Sequence, residues 1–335
     1  MGLLKKVAVG IGGVFGCVVL GAGGYTAWAF SVYESRVSFP DTELPDLHAS
    51  TDPEVIARGR YLVNGPAHCS QCHSAGTPEH PELVGNSPLH GGYEFAMGPI
   101  ATTYAANLTP DIETGIGRRT DPELARAIRY GVLADGSYSL FMASSVAKPA
   151  DDDIVAILSY LRSEPAVRKE VPVGHWGPLG KLMIPMLTLL PADAKPVFAP
   201  PAEIPSVERG AYLARSLALC TSCHSKYDMS TFKPTGPEAG GGDPEASHGK
   251  DSDKEFVTPN LTSDPTGMTG KLTEDQFVRR MLAGRVYASS IMPWEGFQQM
   301  TESDLRSVYL FLHSLPPVQN DVGPTYRDVG WEPPR

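Results

Sequence analysis

Apolar and polar positions divide the chain into three kinds of stretch. The first, Val7 to Tyr33, is apolar and carries no formal charge, with Lys5 and Lys6 just before it. The second kind is amphipathic with helical spacing, in which apolar positions recur every three or four residues. Asp52-Pro53 opens one such stretch, with Val55, Ile56, Leu62 and Val63 as its apolar positions, and Val207, Tyr212, Leu213 and Leu217 form another. Two middle helices start at capping boxes, Thr120-Asp121-Pro122-Glu123 and Thr273-Glu274-Asp275-Gln276, and end near Gly131 and Gly284. Two last helices are expected from about Asp152 to Leu161 and from Glu302 to Leu312, the latter with Leu305, Val308, Tyr309 and Leu312 on one face. The third kind is proline-rich, residues 165–205, where helices break and extended chain stiffens. Within it, Gly177 to Leu190 is apolar enough to pack as a strap across both flanking regions. No long alternating pattern signals a strand, so the expected class is all-α with extended loops.

These stretches come in two copies. Arg58-Gly59-Arg60-Tyr61-Leu62 returns as Arg209-Gly210-Ala211-Tyr212-Leu213, and Asn107-Leu108-Thr109 as Asn260-Leu261-Thr262. Cys69 pairs with Cys220, Met142 with Met292 and Asp153 with Asp304, all at a shift of about 151 residues. The expected organisation is a membrane segment over 1–33, a first domain over 34–164, a linker over 165–205, a second domain over 206–320 and a tail over 321–335.

The apolar run exceeds the roughly 20 residues a spanning helix needs and the 7–15 of a cleaved signal, so its length favours a retained anchor. Seven glycines and the Ala27-Trp28-Ala29 triplet, which imitates a signal-peptidase site, keep a cleaved signal open. The two lysines place the N-terminus in the cytoplasm, so either way the rest is exported. Cys17 is expected to be a buried thiol rather than a lipid attachment site.

Composition adds a charge argument. The 335 residues carry a net charge of −10, and the only charges before Glu34 are the two lysines, so the exported body is more acidic still. Such a body repels phosphate backbones, which excludes nucleic-acid binding and suits a basic protein partner.

The five cysteines supply the chemistry. Cys17 is alone, while Cys69/Cys72 and Cys220/Cys223 are each followed by a histidine, His73 and His224. C-x-x-C-H is the attachment motif of a c-type haem: two thioethers to the vinyl groups and an imidazole on the iron. Two residues between the thiols let one helical turn reach both vinyls. A zinc site would want the pairs 15–20 residues apart, a redox dithiol would be a single motif after a strand, and plain disulfides leave the histidines unexplained. Met292, before Pro293-Trp294, and Met142 at the matching place are the candidate sixth ligands, with Met97 and His90 as fallbacks for the first haem. His68, His175, His248 and His313 read as surface or loop residues.

Residues 53–165 and 205–320 resemble class I cytochrome c domains of proteobacterial type, most of all the cytochrome subunits that serve periplasmic alcohol and gluconate dehydrogenases. The motifs that carry it are Arg58-Gly59-x-Tyr61-Leu62, Cys69-x-x-Cys72-His73, Asn107-Leu108-Thr109-Pro110-Asp111 and Thr114-Gly115-Ile116-Gly117. The second copy adds Thr258-Pro259-Asn260-Leu261-Thr262, Met292-Pro293-Trp294 and Ser314-Leu315-Pro316-Pro317-Val318. The resemblance implies two tandem all-α domains behind an N-terminal transmembrane helix. It implies two covalent haem c groups on Cys69, Cys72, Cys220 and Cys223, with His73 and His224 proximal and Met142 and Met292 distal. It places Asn107 and Asn260 in the loops beside the haems, near the propionates. Those subunits carry three haems, and this chain has two motifs.

The expected function is a membrane-anchored dihaem relay on the periplasmic face of the bacterial inner membrane. It would take single electrons from a dehydrogenase or quinol-oxidising complex and pass them to an oxidase, a soluble cytochrome or a cupredoxin. The alternative is a dihaem enzyme, a peroxidase or a thiosulfate-oxidising cytochrome, in which one iron has an open distal site.

Overall fold

The structure, a computed structural model, describes all residues except 1–2, 77–80, 146–148, 188, 190–198, 229–232, 243, 247–252, 288–289 and 333–335. Side chains are described for neither 3–16 nor a few further positions beside these gaps. His248 lies outside the described residues.

The chain opens with α1 (Leu3–Arg36), a 34-residue helix. The first repeat follows with α2 (Pro53–Asn64), the single turn α3 (Ser70–His73), α4 (Asp121–Tyr130), α5 (Leu140–Ser145) and α6 (Asp151–Ser163). The linker contributes α7 (Pro178–Met183) and a 3-10 turn, Ile184–Met186. The second repeat runs through α8 (Val207–Tyr212), a π-helical turn over Leu213–Leu217, α9 (Cys220–Cys223), α10 (Met268–Lys271), α11 (Glu274–Leu282), α12 (Trp294–Phe297) and α13 (Glu302–Ser314). Helix dominates, in line with the all-α expectation.

Local chemistry explains the boundaries. The Asp52 carboxylate accepts from the Glu54 N–H at 2.8 Å and Pro53 takes the first helical position, where its missing N–H costs nothing. Thr120 and Thr273 both close complete capping boxes, with Glu123 and Gln276. Gly131, at φ +70°, ends α4 in the left-handed region that a β-carbon disfavours. The last helices start one residue earlier than expected in the first repeat and as expected in the second, and both run two residues longer.

Each repeat is built on a close crossing of its first and last helices, α2 on α6 and α8 on α13. Glycine permits the approach. A β-carbon at Gly59 would lie 1.8 Å from the Ala156 carbonyl oxygen, and one at Gly210 would lie 1.8 Å from that of Ser307. Leu62, Val63, Ile154 and Leu158 are buried at the first crossing, and Leu213, Leu217, Leu305 and Leu312 at the second. Each such side chain contributes roughly 1.5–3 kcal/mol of hydrophobic stabilisation. All of them belong to one core that is continuous across both repeats.

Strands are present where no alternating pattern announced them, because each is only two to four residues long. β1 (Glu94–Ala96), β2 (Ala101–Tyr104) and β3 (His175–Trp176) form an antiparallel sheet, as do the pair β4 (Tyr227–Asp228) and β5 (Lys233–Pro234). A third sheet joins β6 (Pro244–Ala246), β7 (Lys254–Val257) and β8 (Tyr326–Asp328). The linker and the tail are therefore partly ordered by pairing: Ala101 lies opposite Trp176, and Glu255 opposite Arg327.

The strap docks differently from the expectation of a bridge across both repeats. α7 and the turn after it pack on α1, with the Tyr25 hydroxyl donating to the Leu182 carbonyl at 2.7 Å and the Lys181 ammonium 4.7 Å from the Tyr33 ring centre. Its other side lies on the first repeat, where Gly177 and Gly180 approach the carbonyls of Pro99 and Ile100. The C-terminal end of α1 is also tied to the first repeat. The Phe39 N–H donates to the Gly136 carbonyl at 2.7 Å, and the Arg126 guanidinium donates to the carbonyls of Pro40, Thr42, Leu133 and Ala134. Among the described residues no helix is long and apolar enough to cross a membrane; for α1 that covers the side chains from residue 17 onward. Cys17 is exposed rather than buried, because no described element packs on that part of α1.

Candidate haem-binding site

Both C-x-x-C-H motifs occupy one helical turn. The His73 N–H donates to the Cys69 carbonyl and the His224 N–H to the Cys220 carbonyl, each at 3.0 Å. Each turn is entered through a residue with positive φ, His68 at 41° and Leu219 at 51°, again one repeat apart. Each is left through a buried serine: Ser74 donates to the Ser70 carbonyl at 2.5 Å, and Ser225 to that of Thr221 at 2.6 Å.

The two imidazoles are oriented alike. The Nδ1 of His73 lies 2.7 Å from the Ala106 carbonyl oxygen, and that of His224 lies 2.9 Å from the Pro259 carbonyl oxygen. A carbonyl only accepts, so Nδ1 carries the proton in both rings and Nε2 keeps its lone pair. This outer hydrogen bond is the arrangement that fixes tautomer and orientation in a metal-ligating histidine. Burial pushes both imidazoles below their ordinary range, which keeps the ligating form neutral.

None of the four motif cysteines is in a disulfide in the structure. Burial pushes Cys69 up to about 12, Cys72 to about 11 and Cys220 to about 12. A redox-active dithiol needs the opposite, a depressed thiol, so these environments argue against disulfide-exchange chemistry. Among the described residues no group of three or more His, Cys, Asp and Glu side chains could hold a bare metal ion. A haem asks the protein for less: two thiols, one imidazole and a distal donor, since the porphyrin supplies the other four nitrogens. Cys69, Cys220, Met142 and Met292 all pack, half-buried, against the continuous core, so the donor set has the chemistry and the apolar setting a haem requires.

The methionine loops are held by different means. In the first repeat the rings of Tyr93, Phe95 and Phe141, the residue before Met142, lie tilted in a row, with centroids 4.7 and 4.6 Å apart. The Met142 N–H donates to the Ser139 hydroxyl at 3.3 Å. Around Met292 the Arg285 guanidinium forks onto the Glu295 carboxylate, with two bonds of 2.7 Å, and also donates to the carbonyls of Ser290 and Met292. The fallback His90 has its Nδ1 3.1 Å from the Lys169 ammonium, and Met97 sits half-buried in the β1–β2 turn.

Asn107 and Asn260 have their polar atoms engaged within the protein. Each accepts from the threonine two residues on and donates to a carbonyl beyond the last helix, Val167 at 2.8 Å and Val318 at 2.5 Å. They lock the loop after each motif to the chain leaving the domain core. His68 lies in the loop between α2 and α3; burial lowers its basicity, and its ring packs edge-on against Phe297 of the other repeat at 5.9 Å. His175 and His313 are exposed, as expected.

A crossed pair of bonds between the repeats was not anticipated. Arg58 pairs with Asp153 and Arg209 with Asp304 inside each repeat. Tyr61 then donates to Asp304 and Tyr212 to Asp153, each at 2.6 Å and each across the boundary. The signal was in the repeat itself, since Arg-Gly-x-Tyr and the partner aspartate all recur at one shift.

No family profile matches the chain. It is 30% identical over 315 residues to the cytochrome c subunit of the quinone alcohol dehydrogenase of Gluconacetobacter polyoxogenes, covering 89% of this chain and 62% of that protein. It is 27% identical to the gluconate 2-dehydrogenase cytochrome c subunit of Pantoea cypripedii over 278 residues, 78% of this chain and 59% of the relative. A dihaem c-type cytochrome of Cereibacter sphaeroides is 28% identical over 185 residues, 54% of this chain and 60% of the relative. The chain thus spans about three fifths of the length of these relatives.

Proposed function

We propose, from a chain whose homologues are cytochrome c subunits of dehydrogenases, that this protein is a dihaem electron relay with one cytochrome c domain per repeat. The observation that carries this reading is the duplicated C-x-x-C-H turn with each histidine's Nδ1 hydrogen-bonded to a backbone carbonyl. When bound, haem c supplies the one-electron chemistry of its iron. Cys69 and Cys72 hold the first group and Cys220 and Cys223 the second, as thioethers. His73 and His224 would supply Nε2 to the irons, and Met142 and Met292 thioether sulfur, a donor that raises the reduction potential relative to a second histidine. With a histidine and a methionine for each iron, the chain would act by holding, burying and docking rather than by activating a substrate.

The same reading has α1 as a retained anchor, with Tyr25, Trp28 and Tyr33 toward its C-terminal end as interfacial aromatics and the body in the periplasm. Because the end of α1 is tied to the first repeat, that domain stands next to the inner membrane. The electron donor is a dehydrogenase or quinol-oxidising complex, and the acceptor an oxidase, a soluble cytochrome or a cupredoxin. The acidic body suits a basic docking face.

Haem per polypeptide, measured as pyridine haemochrome on the purified protein, tests the relay. Two per chain is expected, and one or none overturns it. Carbonate washing tests the anchor: the protein is expected to stay with the membranes, and its quantitative release contradicts retention.

A further inference from the structure

The strap and the C-terminal part of α1 are locked together. Tyr25, Ala29 and Tyr33, spaced four apart, share the face of α1 on which α7 and the turn Ile184–Met186 pack. Ala29 is the one buried α1 side chain among those described. The Leu182 carbonyl lies in the last turn of α7, where intrahelical donors run out, and accepts from the Tyr25 hydroxyl at 2.7 Å. The near end of the strap is fixed to the first repeat. There the Gly177 and Leu179 N–H groups donate to the Ile100 and Pro99 carbonyls at 2.8 and 3.1 Å, and Trp176 pairs with Ala101.

What the strap shows to the outside is apolar. Gly177 to Leu190 holds a single charge, Lys181, whose ammonium lies 4.7 Å from the Tyr33 ring centre and 5.9 Å from that of Phe30. Leu179, Met183 and Met186 are exposed, and α1 adds Trp28 and Phe30 to the same region. Depth follows from length. A helix rises about 1.5 Å per residue and the hydrocarbon layer is about 30 Å thick, so roughly 20 residues cross it. Counted from Val7, the first residue after Lys6, the crossing ends near Thr26. Tyr25, and Leu182 with it, then stands at the outer edge of the hydrocarbon. Phe30, Tyr33 and Lys181 stand one to two turns farther out, at the level of the lipid phosphates. At that edge the Thr26 hydroxyl is satisfied inside the helix, donating to the Ala22 carbonyl at 2.8 Å.

We propose that the strap, Pro178–Met186, is a second membrane-contact element, lying in the outer bilayer interface beside α1 with its exposed methionines in lipid. This rests on the reading of α1 as a retained anchor. Lipid is the occupant because the surface continues that of an uncharged helix. Its one charge is a cation set among aromatic rings, which suits an anionic headgroup above an apolar layer. The first repeat thus meets the membrane through two elements and takes one orientation to the bilayer instead of swinging on a helix end.

The test uses the full-length holoprotein in nanodiscs of phosphatidylethanolamine and phosphatidylglycerol, one copy per disc. Cys17→Ser is the background and should not label, since the motif thiols are thioethers in the holoprotein. Met183→Cys, Met186→Cys, Leu20→Cys and Ile204→Cys each add one thiol, whose reaction with a membrane-impermeant sulfonated maleimide is timed. Met186 is 72% and Ile204 63% exposed, so without lipid contact their rates should match. The thiols at 183 and 186 are expected to react roughly tenfold or more slowly than that at 204, as at 20, because apolar surroundings suppress the reactive thiolate. Rates at 183 and 186 equal to that at 204, with 20 still protected, overturn the proposal and leave the anchor standing. Fast reaction at 20 overturns the anchor and this inference with it. Protection at 186 in protein-crowded liposomes but not in single-copy discs assigns the surface to a second copy and overturns the lipid assignment.

Discussion

The crossed tyrosine–aspartate bonds can be tested through pH. In Tyr61→Phe and Tyr212→Phe each repeat loses one hydroxyl bond of 2.6 Å to a carboxylate in the other. Bonds to charged acceptors contribute about 1.5–3 kcal/mol, and the low end applies here because each aspartate keeps its arginine. The double variant is therefore expected to cost about 3 kcal/mol near pH 7, a fall in Tm of about 6 °C for a chain of this size. Burial, followed by the neighbouring aspartate, raises both tyrosines well above their ordinary value. A group whose folded pKa is raised contributes stability that is whole below its unfolded value, near 10, and is lost as pH climbs toward the folded value. Above pH 10 the unfolded chain releases protons that the folded chain retains, so each tyrosine removes about 1.4 kcal/mol of stability per pH unit. Wild type and double variant should thus differ most from neutrality to pH 9 and converge near pH 11. Urea unfolding of the holoprotein, followed by far-ultraviolet circular dichroism across pH 7–11, measures the gap. A gap that stays constant to pH 11, or that is under about 0.5 kcal/mol at pH 7, refutes the reasoning.

Two further perturbations address the scaffold. Thr120→Ala and Thr273→Ala each remove a capping box and are expected to cost about 1 kcal/mol, adding when combined; thermal unfolding checks both the size and the additivity. Gly210→Ala forces a β-carbon into the Ser307 carbonyl and is expected to cost about 3 kcal/mol or more by driving α8 and α13 apart, with lost hydrogen-exchange protection concentrated in those helices. Gly23 in α1, whose β-carbon would meet nothing and whose backbone is helical, is the control for crowding.

Much of the fold was legible because its signals are local. Pro53, Thr120, Thr273 and Gly131 mark helix ends through the bonds of their own neighbourhoods. The repeat brought the two motifs and two methionines into one register. The strands were hidden because pairing is non-local: Thr102 finds its partner at His175, and Phe256 at Tyr326, over spans that no periodicity crosses. The strap misled for a related reason. Its apolarity predicted packing across both repeats, whereas it lies between α1 and the first repeat. At the site, the cysteines and histidines announce themselves by spacing, whereas Arg285 and Glu295 have ordinary polar identities and matter only through where the fold sets them. Arg58, Tyr61 and Asp153 lie between these cases, since their recurrence was visible but the exchange of partners across the repeats was not.

The central claim is two six-coordinate haems with matched histidine and methionine ligands. Near-infrared magnetic circular dichroism of the oxidised, purified protein reads the axial ligands of both irons at once. The account predicts two methionine-to-iron charge-transfer signals, one lost in Met142→Ala and the other in Met292→Ala. A single methionine signal beside a bis-histidine, thiolate or high-spin site would contradict it.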